Sequence, residues 1–423
     1  MKKVISLFMV FVVLGLTACA QPVMGDFLKS DKPRGSSPEV SEANLATLVT
    51  GNSDFAFDLY QQLKEEDGNF FYSPYSISMA LAMTYAGARS ETEEQMAAAL
   101  SYLLPQDSLH PVFNRLDLEL SSRGEDAQSK DGEGFRLNIV NAIWGQQDYP
   151  FLNSYLDVLA ENYGAGLRTL DFIRSPEESR ATINEWVSER TENRINDLIP
   201  KGAIDALTRL VLTNAIYLNA AWQFPFSEDA TSDGTFHLLG GGEVTIPVMS
   251  QSEALGYTEG EGYQAVELAY DGAELSMVIL LPEEAHFTNF EKALDNQIVS
   301  GIISGLKNEQ VNLSLPQFEF ESEFGLVETL AEMGMPVAFS SGADFSGMTG
   351  NHDLFIGDVI HKTFVSVDEA GAEAAAATAV IMQLTAMPGT PVEVKIDRPF
   401  IFLIRDIETG AVLFLGRVVN PAA

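Results

Sequence analysis

The chain reads as one large α+β domain behind a short leader. Three observations predict this. Strand and helix signals both run along the chain without strict alternation. Residues 210–218 are almost wholly apolar, as in a strand buried on both faces. The C-terminus carries two strong strand signals, 399–405 and 411–419, joined by a turn at Glu408-Thr409-Gly410. In chain order, 54–63 places Phe55, Leu59 and Leu63 on one helical face. Ser73-Pro74 reads as an N-cap followed by proline at the first helical position, with Gly87 as the stop. Ser90 with Glu93 and Ser175 with Glu178 each fit a capping box. Residues 121–133 are hydrophilic and read as a surface loop. The stretch 135–144 sets Phe135, Leu137, Ile139 and Ile143 on one side of a strand, and 274–281 and 311–320 read as further strands.

Composition removes several functions. With 60 acidic and 25 basic residues the net charge is −35, which argues against contacts to nucleic-acid phosphates, anionic lipid or polyanionic sugars. The one cysteine, Cys19, excludes an internal disulfide. It follows a basic start, Met1-Lys2-Lys3, and an apolar run at 4–16 that is too short to span a bilayer, so 1–18 read as a secretory signal. Leu16-Thr17-Ala18-Cys19 resembles the lipobox of bacterial lipoproteins. That resemblance implies cleavage before Cys19, lipidation of its thiol, and a protein exported across the inner membrane and held on the cell envelope, facing periplasm or exterior. Residues 19–41, rich in Pro, Gly and Ser, then read as a lipidated cysteine and flexible tether, and 42–423 as the folded domain.

Motifs along that domain resemble the serpin family. Asn69-Phe70-Phe71-Tyr72-Ser73-Pro74-Tyr75-Ser76-Ile77 is similar to the segment entering a serpin's second helix. Gly87-Ala88-Arg89-Ser90-Glu91-Thr92 resembles the following turn, with Ser90 where the family usually has glycine. Leu212-Thr213-Asn214-Ala215-Ile216-Tyr217 resembles a central strand of the large sheet; Asp344-Phe345-Ser346-Gly347-Met348 and Val359-Ile360-His361-Lys362 resemble the approach to the reactive loop. Asp397-Arg398-Pro399-Phe400-Ile401-Phe402 and the 414–421 segment resemble the C-terminal signature. The resemblance implies a large central sheet, two further sheets, several surrounding helices and an exposed reactive loop at about 369–391. It implies a monomer with no cofactor or metal, and a serine protease as covalent partner. Ser73, Ser76, Asn214 and His361 match the family's shutter cluster beneath the sheet; Trp222 and Glu369 match the top, where the loop enters. The family's lysine partner for Glu369 is replaced by Gln317 after Leu315-Pro316. Heparin activation is not expected, because 91–104 carries Glu91, Glu93 and Glu94 and no Lys or Arg.

The stretch 370–380 is dominated by small residues, without proline and with one charge. Alone it reads as an alanine-rich helix or a linker. Beside the resemblance it reads as bait that becomes a sheet strand after cleavage. Counting in twos, Ala372, Ala374, Ala376, Thr378, Val380, Met382 and Leu384 carry no charge, while Glu373 and Gln383 fall in the other set. A charge on the inserting face would stall insertion. Gly371 supplies a hinge, and no proline removes a ladder hydrogen bond before Pro388. The family's spacing from Glu369 implies cleavage between Thr385 and Ala386; counting back from Glu393-Val394-Lys395 gives Pro388, and Leu384 and Met387 are further alternatives. No Lys or Arg lies between Lys362 and Lys395, which fits elastase-like or subtilisin-like proteases rather than trypsin-like ones. An enzyme is disfavoured: G-x-S-x-G, H-E-x-x-H and a complete phosphate-binding glycine loop are all missing. A non-inhibitory carrier or chaperone is the alternative, although such relatives tend to carry bulky, charged or proline residues in the hinge.

Overall fold

The structure is a computed structural model that describes residues 26–124, 127, 136–372 and 390–423. The strands are β1 (Phe27–Leu28), β2 (Phe70–Tyr72), β3 (Arg136–Gln146), β4 (Leu167–Leu170), β5 (Leu210–Ala221), β6 (Ser232–His237), β7 (Glu243–Gly260), β8 (Tyr263–Ala269), β9 (Leu275–Pro282), β10 (Lys307–Pro316), β11 (Phe318–Gly325), β12 (Asp358–Val367), β13 (Gly371–Ala372), β14 (Val392–Lys395), β15 (Phe400–Asp406) and β16 (Val412–Val418). The large sheet runs β1-β4-β3-β5-β13-β12-β11. The two further sheets are continuous through the 18-residue strand β7, which pairs with β6 and β10 along its length and with β8 at its end, giving the order β14-β10-β7-β8-β9-β15-β16-β2.

The six longest helices before β5 are α1 (Glu42–Leu63), α2 (Pro74–Tyr85), α3 (Ser90–Ala99), α4 (Gln106–Ser121), α5 (Asn153–Tyr163) and α6 (Pro176–Arg190). Every residue of α2 is buried. Its sequence, PYSISMALAMTY, has no charged residue and so no wet face, and it packs between the sheets against β3, β5 and β16. Ser73 caps it, accepting the Ser76 amide, with Pro74 at the first position.

Several local expectations are corrected. The helix expected at 54–63 begins at Glu42, capped by Ser41. Neither expected capping box forms: Ser175 makes no side-chain cap bond, and Ser90 lies inside α3 with its Oγ donating to Asp344. Ser90 has φ +54°, the left-handed region where glycine is cheapest, which accounts for the glycine usual at this turn. The strand expected at 311–320 is two strands that part at Gln317 and enter different sheets.

The expected flexible tether is also revised over its second part. Phe27 and Leu28 pair with β4, and the Phe27 ring lies 4.9 Å from the Arg168 guanidinium. Ser30 donates to Asp157, Lys32 pairs with Asp157 and Glu161, and Arg34 reaches Asn114 at 2.7 Å and Asp117 at 2.5 Å. Basic side chains in an otherwise acidic protein have carboxylates to meet, so this strap lies along α4 and α5. Arg34→Ala should lower stability by about 1–2 kcal/mol, because the pair is only half-buried. For a domain of this size that is a melting shift of about 1–3 °C, since unfolding entropy is about 2 cal/mol/K per residue. Differential scanning calorimetry measures it; an unchanged melting temperature would show that the strap contributes nothing.

Candidate functional site

The seam between β5 and β12 is the feature the rest of the fold positions. The two strands pair directly and in parallel from Asp358↔Val211 to Thr363↔Ile216. Above that they part, and β13 enters between them, with Ala372 opposite both Ala220 and Val367 and Gly371 opposite Ala221. Gly371 has φ +153°, and a Cβ there would lie 2.1 Å from the Ala220 carbonyl oxygen. Only glycine fits that approach.

A polar frame fixes the chain as it turns in. Trp222 donates from its backbone to Ala370 at 2.8 Å and from its indole to Asp368 at 3.0 Å, and its ring stacks on Tyr270 with centroids 4.7 Å apart. The Phe226 amide donates to the Glu369 carbonyl. The Glu369 carboxylate accepts from Thr231 Oγ1 at 2.6 Å and from Gln317 Nε2 at 2.7 Å. Gln317 thus occupies the lysine's place with a neutral hydrogen bond rather than an ion pair. Thr231 and Tyr270 carried no sequence signal that singled them out.

Seven residues down β5, about 23 Å at the usual rise, a second cluster crosses the seam. Asn141, Asn214 and His361 are cross-strand neighbours on β3, β5 and β12. The Ser73 amide donates to His361 Nε2 at 3.0 Å, so Nε2 is the acceptor and the ring proton sits on Nδ1, which donates to Asn214 Oδ1. Asn214 Nδ2 donates to Ser76 Oγ at 2.5 Å and to Asn141 Oδ1. Ser73 Oγ donates to Leu413 O at 2.6 Å, tying the cluster to β16. Asn141 had escaped the sequence reading, yet its signal was present. It shares the core-facing parity of Leu137, Ile139 and Ile143, where an amide is out of place unless partnered.

Burial holds the His361 imidazole neutral, pulling its pKa down from 6.5 to about 3, with the Asn214 contact partly opposing. Burial likewise lowers His110 to about 4. Unfolded histidines take up protons below about pH 6.5 that these two refuse when folded. Their contribution to stability is therefore complete above pH 6.5 and is lost as pH falls toward 3–4, with a slope of up to about 1.4 kcal/mol per pH unit for each. Denaturant titrations from pH 7 to 4, compared with His361→Gln to cancel the carboxylate background, should show a shallower slope in the variant. Equal slopes would contradict a neutral, proton-refusing His361.

Among the predicted site residues, the structure thus brings Ser73, Ser76, Asn214 and His361 into one cluster and Trp222, Glu369 and Gly371 into another. Cys19 lies outside the described residues. So do the loop positions Ala374, Ala376, Thr378, Leu384, Thr385, Ala386 and Met387.

Residues 50–421 match the family model described as serpin (serine protease inhibitor). The chain belongs to the serpin family. An uncharacterized serpin-like protein of Thermococcus kodakarensis is 40% identical over 384 residues, covering 90% of this chain and 88% of that one. The leukocyte elastase inhibitor of Bos taurus is 39% identical over 388 residues, covering 89% and 100%. The native thermophilic serpin tengpin superposes with a TM-score of 0.81 at 29% identity, covering 93% and 97%. This serpin therefore has its family's α+β architecture, with Gly371 and Ala372 seated at one end of the large sheet and the polar cluster on the seam below.

Proposed function

We propose that this serpin inhibits a serine-type endopeptidase as a suicide substrate, of elastase-like or subtilisin-like specificity. One observation carries the reading: Gly371 and Ala372 already lie as a strand between β5 and β12, while below them only six register pairs, Asp358 to Thr363, hold the seam shut. The target's serine attacks the scissile carbonyl, for which Thr385 is the first choice. The peptide bond to Ala386 breaks, the leaving amine takes the proton, and an ester joins the two proteins. The freed strand then continues the path that Gly371 and Ala372 begin and parts the remaining pairs. Each lost β5–β12 pair is replaced by two, one on either side of the new strand. The protein contributes bait and stored conformational energy, and the catalytic groups are the target's. The relation to leukocyte elastase inhibitors supports an elastase-like target. Lipidation at Cys19 would hold the inhibitor on its membrane.

Incubation with an elastase and with a subtilisin tests this. A complex that survives denaturing electrophoresis is expected, with a released C-terminal peptide whose mass fixes the cut near Thr385. Clean loop cleavage by both enzymes without any covalent complex would point instead to a carrier or chaperone. Cys19→Ser should move the protein from the membrane fraction to the soluble one.

A further inference from the structure

We infer that the end of the large sheet opposite the hinge is a membrane-facing seat, which turns the reactive loop away from the bilayer that anchors the protein. The inference rests on the proposed lipidation of Cys19 and adds an orientation to it.

The register places the two ends. The Asp26 carbonyl accepts from the Thr169 amide. Thr169 lies opposite Gly145 on β3, and Gly145 lies opposite Leu210, the first residue of β5. The hinge residue Gly371 lies opposite Ala221, the last residue of β5. The chain therefore enters the fold at one end of a strand whose other end holds the hinge, about 35 Å away at 3.3 Å per residue. Because the strap is docked from Phe27 onward, the link from Cys19 to Asp26 is seven residues, not the whole of 19–41. Fully extended it spans at most about 25 Å, less than the length of the sheet.

The entry end carries matching chemistry. Phe27 is 48% exposed, Ile173, three residues past β4, is 44% exposed, and Leu207, three residues before β5, is 73% exposed. Charge is close to balanced on the segments that carry these side chains. The segments 26–29, 171–178 and 200–209 hold four cations (Lys29, Arg174, Lys201 and Arg209) against five carboxylates, in a chain with 25 against 60. These segments are therefore repelled by an anionic lipid surface less than the chain as a whole, and they offer apolar side chains for shallow insertion. The inhibitor then meets proteases free in the medium or borne on another surface, not proteases lying flat on its own membrane. Complete insertion of the loop would bring the acylated protease to this same end, so the seat has to give way when a complex forms.

Single-cysteine variants of the lipidated full chain, Ile173→Cys, Leu207→Cys and Phe224→Cys, carry a fluorophore. Phe224 is the matched control, 43% exposed but beside Trp222 at the hinge end. In vesicles of phosphatidylethanolamine and phosphatidylglycerol with nitroxide-labelled lipid, several-fold quenching is expected at 173 and 207 and none at 224. Quenching at 173 and 207 should disappear on complex formation with a protease. Equal quenching at all three, quenching at 224 alone, or quenching at 173 and 207 that persists in the complex would overturn the seat while leaving the anchor intact. Failure of the chain to co-sediment with vesicles, unchanged by Cys19→Ser, would instead remove the anchor and the seat with it.

Discussion

Ala372→Arg is expected to convert the inhibitor into a substrate. The backbone of Ala372 pairs with Ala220 and Val367, both buried, at the mouth of the seam. In the proposed insertion, every later residue follows this position. A guanidinium brought there with no carboxylate opposite has a desolvation penalty of several kcal/mol. Insertion slows while hydrolysis of the ester does not, so the acyl-enzyme is released. Titration of protease activity should show the partition shifting by at least about tenfold toward cleaved, non-complexed protein for each 1.4 kcal/mol added to the insertion barrier. Ala372→Ser, small and uncharged, should retain inhibition. Full inhibition by the arginine variant would contradict insertion through this position.

The second large effect is expected at Asn214→Ala. The amide accepts from His361 and donates to Ser76 and Asn141, so its loss leaves the buried His361 Nδ1–H without its acceptor and unties Ser76 and Asn141, which stay bonded to each other, from the point where β5 and β12 are joined. Removing the hub of a buried network costs about 3–5 kcal/mol. Unfolding entropy near 2 cal/mol/K per residue makes this a fall of about 4–6 °C in melting temperature. The same loss weakens the closed seam selectively. Inhibitory capacity should therefore decay faster on storage at 37 °C, with intact loop, than in a core variant of equal melting temperature such as Ile302→Ala. Equal decay would make the network ordinary packing rather than a latch.

Much of this was legible in the sequence because each feature had a local cause. The C-terminal hairpin follows from two apolar runs around Glu408-Thr409-Gly410, and α2 from Ser73-Pro74 followed by uncharged residues. The small residues at 370–380 are the sequence signal on which the proposed insertion rests. What escaped was non-local. Gln317 reads as the middle of one strand, and only tertiary pairing shows that β10 and β11 part company there. The parity of Asn141 was readable locally, but its membership of the cluster shows only once β3 is paired in register with β5. The strap looked like a coil because its composition is polar, and what docks it are carboxylates of α4 and α5 more than 80 residues away.

The central claim is that a closed seam waits for a strand. The melting temperature of the protein before and after a single cut in the 373–389 loop tests it most directly. About ten newly paired residues at roughly 1 kcal/mol per net hydrogen bond should raise the melting temperature by about 10 °C or more. A cut protein that melts at the same temperature as the intact one, or below it, would show that the seam stays shut.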